Sequence, residues 1–174
     1  MKKTLRSSLF GSTIFAGYFW YCFLTPTDWH FIDGVNLIFH EAGHAMCFFL
    51  PTLVTAAAGS AFQILIPLVC VIYFYQRREV ASASLVGLWF AQNLMSVANY
   101  MRDAIPMQLP LLGGDTSVHD WNYIFSTLNL LPQSYLIADF FAFFSYVFLT
   151  GSTFWLFLQL WNTVIGHEDK THLF

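Results

Sequence analysis

The sequence predicts an all-α fold: a polytopic membrane helical bundle of about four to five membrane helices plus one short amphipathic helix. Three observations predict it. Hydrophobic residues make up 57% of the chain and charged residues 10%, with a mean hydropathy of +0.57. A soluble chain carries about 25% charged residues, so this one lacks the polar groups to cover a water-facing surface. Uncharged apolar runs recur along the chain, each near the ~20 residues a helix needs to cross a bilayer core. Only one long connection, about 102–134, is polar.

The first run, about 8–25, follows Lys2, Lys3 and Arg6 and ends in Phe-Trp-Tyr-Cys-Phe-Leu. No small-x-small cleavage pattern follows it, so it reads as an uncleaved anchor rather than a signal peptide. Runs at about 53–76, 80–101 and 137–165 are the other full-length spans. The segment at about 34–50 is shorter, and seventeen residues of helix reach only ~25 Å. Asp33 is its expected N-cap and Pro51 its expected stop. It either crosses a thinned region or ends part-way in, shielded by its neighbours. In the polar connection, prolines and glycines punctuate the first half. Trp121, Ile124, Phe125, Leu128 and Leu131 then recur at helical spacing over Val118 to Leu131.

With no repeat and no separate soluble stretch, residues 1–174 read as a single integral membrane domain, multi-pass, with membrane lipids as its surroundings. Net charge is −3 and the basic residues are scattered, which gives no nucleic-acid partner. Cys22, Cys47 and Cys70 form no CxxC pair and behave as small membrane hydrophobes. Orientation stays open: Lys2, Lys3 and Arg6 lie on the same side as Arg77 and Arg78 only if one segment, 34–50 being the best candidate, does not cross.

His40-Glu41-Ala42-Gly43-His44 carries the chemistry. Residues four apart share a helix face, about 5–6 Å between Cβ atoms, so His40 and His44 can converge on one metal ion. Neutral imidazole suits Zn2+. Glu41, beside the first ligand, is placed as the catalytic base that takes a proton from an attacking water. Ionisable side chains cost about 2.5–3.5 kcal/mol each at the centre of a membrane helix, and their presence points to a function. Gly43 is unfavourable in a helix but leaves room for a close backbone approach.

A catalytic zinc takes three protein ligands and keeps one position open. The third is expected from the cluster around Gly113-Gly114-Asp115-Thr116-Ser117-Val118-His119-Asp120. His119 and Asp120 are the candidates, one to bind and the other to be hydrogen-bonded behind it, with Asp115 after them. Asp120 could instead cap the short helix. Asp139 and Cys47 are more remote alternatives. Asn36, one turn before His40, is either a supporter of the site or a helix–helix hydrogen bond.

A HEAGH motif in a hydrophobic helix resembles the site-2 protease family of intramembrane zinc metalloproteases. The small-residue stretch Ala57-Ala58-Gly59-Ser60-Ala61-Phe62-Gln63 is loosely similar to the Gly-Pro-x-x-Asn stretch of that family, with Gln63 in place of the asparagine and no proline. The family's Leu-Asp-Gly stretch has no counterpart; Leu112-Gly113-Gly114-Asp115 differs in order. The resemblance covers about residues 34–65 and implies His40 and His44 as zinc ligands and Glu41 as base. The expected activity is therefore that of a zinc-dependent metallopeptidase acting on membrane-embedded or membrane-adjacent peptide or protein substrates. A membrane zinc hydrolase cutting a lipid amide or ester, and a non-enzymatic membrane zinc-binding protein, are the alternatives.

Overall fold

Each long uncharged run becomes a helix, because a continuous apolar stretch without charge has no other way to pair its backbone N–H and C=O groups internally. The computed structural model describes residues 2–26, 28–109 and 119–168, with side chains described between 10 and 163 of these. Helix α1 covers Lys2–Leu24, α2 Phe31–Cys47, α3 Thr52–Gln76, α4 Val80–Arg102, α5 Asp120–Thr127 and α6 Ser134–Glu168, with a 3-10 turn at Leu131–Gln133. The fold is all-α, and no strand occurs among the described residues. Helices α3 and α4 and the run Leu131–Thr163, which holds most of α6, are long and apolar enough to cross a membrane. The apolar part of α1 among these residues is Phe10–Leu24.

Helix α4 is the hub. One side, through Leu88, Ala91, Met95 and Ala98, packs on Phe19 and Phe23 of α1 and on Ala142, Leu149 and Leu156 of α6. The other side, through Val97 and Met101, joins Ala56 of α3 and Ile124 and Phe125 of α5. Small residues let α6 come close: Gly87 faces the Ser152 hydroxyl, where a Cβ would clash. Ser145 Oγ donates to the Ala91 carbonyl at 2.8 Å.

Cross-links fix the helix directions. Gly87 meets Ser152, Phe90 meets Phe148 and Ala91 meets Ser145, so α6 runs antiparallel to α4. Trp20 Nε1 donates to Thr153 Oγ1 at 3.0 Å and Phe23 packs on Tyr146, so α1 also runs antiparallel to α6. Helix α1 is therefore parallel to α4. The start of α1 and the α3–α4 turn lie at one end of the bundle, and the α2–α3 turn, α5 and the start of α6 lie at the other.

Helix α2 does not begin at an end. The chain leaves α1, doubles back, and starts α2 beside its last two turns: Thr25 Oγ1 is 2.8 Å from His30 Nε2, and Tyr18 Oη accepts from the Ile32 amide at 3.0 Å. Asp33 Oδ1 accepts from Gln92 Nε2 at 2.7 Å, and Gln92 is near the midpoint of α4. From there α2 runs to the α2–α3 turn. At 17 residues, against 23 for α4, it is the shorter helix, and α2 is not among those long and apolar enough to cross a membrane.

Two local expectations change. Asp33 is not the N-cap; His30 holds that position, and Asp33, in the first turn, accepts from the His30 amide at 2.8 Å. This is the acidic half of a capping box, in which the N3 carboxylate reaches back three residues to the N-cap amide. The amphipathic helix is shorter than its hydrophobic pattern. Asn129 adopts φ 56°, a left-handed backbone that ends α5 after Leu128, and Leu131 belongs to the 3-10 turn.

Candidate metal centre

His40 and His44 lie one turn apart on α2, with ring centroids 4.8 Å apart. Their outer nitrogens are both engaged. Nδ1 of His44 meets the Thr55 backbone carbonyl at 2.8 Å, and Nδ1 of His40 meets Gln63 Oε1 at 3.2 Å. Carbonyl oxygens only accept, so each Nδ1 carries the hydrogen and each Nε2 is left as the free lone pair. Helix α3 supplies both acceptors because it approaches α2 closely. Gly43 lies against the Ala58 carbonyl, and a Cβ on Gly59 would stand 2.5 Å from His44 Nε2 and 2.6 Å from His40 Nε2.

The two Nε2 atoms meet the carboxylate of Asp120, the first residue of α5. Its Oδ2 is 3.0 Å from His40 Nε2 and 3.2 Å from His44 Nε2. Tyr100, near the end of α4, holds this carboxylate in place. Its hydroxyl accepts from the Asp120 amide at 3.2 Å and donates to Oδ2 at 3.4 Å. Trp121 Nε1 donates to Ser60 Oγ at 3.0 Å and ties α5 to α3. Burial alone would raise the Asp120 pKa, but the hydrogen bonds with His40 and His44, made when a proton rather than a metal ion lies between these atoms, outweigh it and hold the carboxyl down at about 2.

Of the two neighbours expected to compete for the third position, Asp120 is the one brought to the pair. His119 is turned away. It is the N-cap of α5, and its Nδ1 accepts from the Asn122 amide at 3.2 Å. That leaves Nε2 as the N–H, 3.2 Å from Asp103 Oδ2. Both ring nitrogens are spent, so the neutral ring has no lone pair to offer. Nor is His119 hydrogen-bonded behind Asp120, as expected of the partner; it lies behind Tyr100, with ring centroids 4.4 Å apart. Asp115 lies outside the described residues. Asp139 is mostly exposed and pairs with Arg102 at 2.7 Å. Cys47 contributes its backbone carbonyl to Thr55 Oγ1, and its thiol is not in the donor group. Asn36 makes the helix–helix bond, donating to Gln92 Oε1 at 2.6 Å and accepting from Trp89 Nε1 at 2.8 Å.

Tyr100 and the Thr55 carbonyl have no counterpart in the sequence reading. A backbone acceptor leaves no signal in side-chain identity. Tyr100 has a faint one, a hydroxyl in the last turns of an apolar helix.

Glu41 is exposed from the helix surface and faces a cavity of about 1350 Å³. The same cavity is lined by His40, His44, Tyr100 and Asp120, and extends to His30 and Trp29.

The donor set fits a divalent metal. An unprotonated Nε2 and a carboxylate oxygen are both acceptors, and two such contacts near 3 Å need a cation or a proton between them. Zinc bonds to nitrogen and carboxylate oxygen at about 2.0–2.2 Å, which puts donors at tetrahedral angles about 3.3 Å apart. The three donor atoms lie within 4.8 Å of one another, and this is the metal-compatible group found among the described residues. No family model, curated protein or solved structure matches the chain.

Proposed function

We propose that this protein is an integral membrane zinc metallopeptidase, with His40, His44 and Asp120 as metal ligands and Glu41 as catalytic base. The observation that carries it is the convergence of two imidazole lone pairs and one carboxylate oxygen beside Glu41, at the wall of a cavity. The site-2 protease-like HEAGH motif supports the same activity. Structural zinc sites close with four protein ligands, whereas three ligands with access leave a position for substrate or water. The bound ion would polarise the scissile carbonyl and lower the pKa of water at the site.

The residues of the chain supply the rest. Glu41, adjacent to His40 and facing the cavity, accepts the proton of the attacking water and returns it to the leaving amine. Thr55 and Gln63 fix the ring tautomers, and Tyr100 orients Asp120. Bulky side chains exposed on the bundle's exterior, among them Phe140, Phe143, Phe154 and Phe157, suit a lipid surround and support the membrane assignment. A peptide segment at the membrane is the substrate class that a cavity with both apolar walls and these polar groups accommodates.

The test is zinc content and peptide hydrolysis of the purified protein in mild detergent, for the unaltered chain and Glu41→Gln. About one zinc per chain in both, with hydrolysis only in the first, is the expected result. Absence of zinc from the unaltered chain, or full activity of Glu41→Gln, would refute the proposal.

A further inference from the structure

Two basic clusters that lie 71 positions apart in sequence, Arg6 and Arg77 marking their nearest members, share one end of the bundle. Lys2, Lys3 and Arg6 fall in the first turns of α1, and Arg77 and Arg78 form the α3–α4 turn. They share that end because α1 is parallel to α4, as the Trp20–Thr153 and Phe23–Tyr146 contacts require. That parallel arrangement is open to the chain because α2 starts beside the last turns of α1 and the midpoint of α4 and runs from there to the metal end.

The opposite end carries the metal centre. There, Arg102 is the one Lys or Arg among the described residues, and Asn99 and Asp139 already pair with it. Gly59, which abuts both Nε2 atoms, is seven residues into α3, or about 10 Å from the start of that helix. The cavity beside it is lined by residues of the same end, Asp103, Pro106 and Leu109 among them.

Lys and Arg in short loops and near helix ends accumulate on the cytoplasmic side, and carboxylates contribute little to this bias. Resting on the membrane-bundle reading above, we propose that the basic end is cytoplasmic and that the metal cavity opens on the opposite, extracytoplasmic side. Helices α1, α3, α4 and α6 cross, α2 dips in from the far side without crossing, and both ends of the bundle's chain path are cytoplasmic. The substrates are then peptide segments presented at the extracytoplasmic face of the membrane. A segment exposed only in the cytoplasm would not reach Glu41.

The experiment is maleimide labelling of the full chain in the inner membrane of a bacterial host. Cys22, Cys47 and Cys70 are replaced by alanine, and a single cysteine is placed at Gln133 or at Glu79, both exposed and at opposite ends. A membrane-impermeant maleimide should label Gln133→Cys in intact spheroplasts and Glu79→Cys only after permeabilisation, with labelling of denatured protein as the full signal. The reverse pattern overturns the orientation and leaves the zinc peptidase intact, because labelling does not depend on the metal. Labelling of both in intact spheroplasts overturns the spanning bundle itself, and protection of both overturns the proposed exposure of the metal end. If the cysteine-free chain fails to accumulate, C-terminal fusions to the otherwise unaltered chain decide the matter. A fluorescent protein should fluoresce and an alkaline phosphatase should be inactive there; an active phosphatase overturns the assignment.

Discussion

The backbone carbonyl of Thr55 sits 2.8 Å from Nδ1 of His44. Because a carbonyl cannot donate, that one contact decides which nitrogen of the ring is available, the one that lies past Gly59 beside Asp120. Metal-binding histidines generally have such a partner on the other nitrogen, which fixes the tautomer and raises ligand basicity. The partner here is main chain, so no side-chain substitution at 55 removes it directly.

Asp120→Ala should abolish zinc retention during dialysis against a mild chelator, whereas His119→Ala should keep most of it. The difference follows from Asp120 Oδ2 lying beside both Nε2 atoms while His119 is committed to Asn122 and Asp103. Asp139→Ala should keep full zinc, since its partner is Arg102. Zinc analysis of the three variants checks this; loss in His119→Ala alone would reverse the assignment of the third ligand.

Tyr100→Phe should weaken zinc binding by roughly 10–100-fold, the usual cost of losing a group that orients a ligand. The ring would still fill its place between His40 and His119, so helix content should not change. Competition with a chromogenic chelator measures the affinity. An unchanged value would mean that the Asp120 carboxylate is held by the histidines alone.

Gly59→Ala separates helix propensity from the site. Alanine favours a helix interior by about 1 kcal/mol over glycine, yet its Cβ would stand 2.5–2.6 Å from the two Nε2 atoms. The variant should remain helical by circular dichroism and lose zinc and hydrolysis together. Full zinc occupancy in Gly59→Ala would show that α2 and α3 separate there without consequence.

In zinc-stripped protein the docking of α5 should be acid-sensitive. The Asp120 pKa is lowered from 3.8 to about 2 in the fold. A carboxyl depressed in this way stabilises the folded arrangement above its unfolded pKa, and that contribution disappears as pH falls through the folded value. Hydrogen exchange over 119–127 should therefore stay slow at pH 5 and accelerate between about pH 4 and pH 2. The same exchange in Asp120→Asn should lack this step.

Much of the fold is legible in the sequence because uncharged runs of spanning length leave little choice but helix. The histidine pair is legible for a similar reason: His40 and His44 need only their own helix to be adjacent. The third member of the group depends on which of two neighbours caps α5. Side-chain preference favours an aspartate at an N-cap over a histidine, and the structure inverts that, using His119 as the cap and freeing Asp120. The start of α2 is equally hidden. Its depth in the bundle is set by the Tyr18–Ile32 and Asp33–Gln92 contacts, which join distant residues and leave no local pattern.

The partial depth of α2 also bears on how the protein is made. In a bilayer, a 17-residue helix that carries Asp33, Glu41 and two histidines is a poor candidate for independent insertion, since each central charge adds about 2.5–3.5 kcal/mol. Helices α3 and α4 are apolar enough to enter by themselves. Helix α2 must then be drawn in against them, exchanging water around its polar groups for Gln92, Gln63 and Thr55. Biogenesis in a membrane would thus have two stages, insertion of the long apolar helices followed by docking of the motif helix, with the His40–His44–Asp120 group completed only in the second.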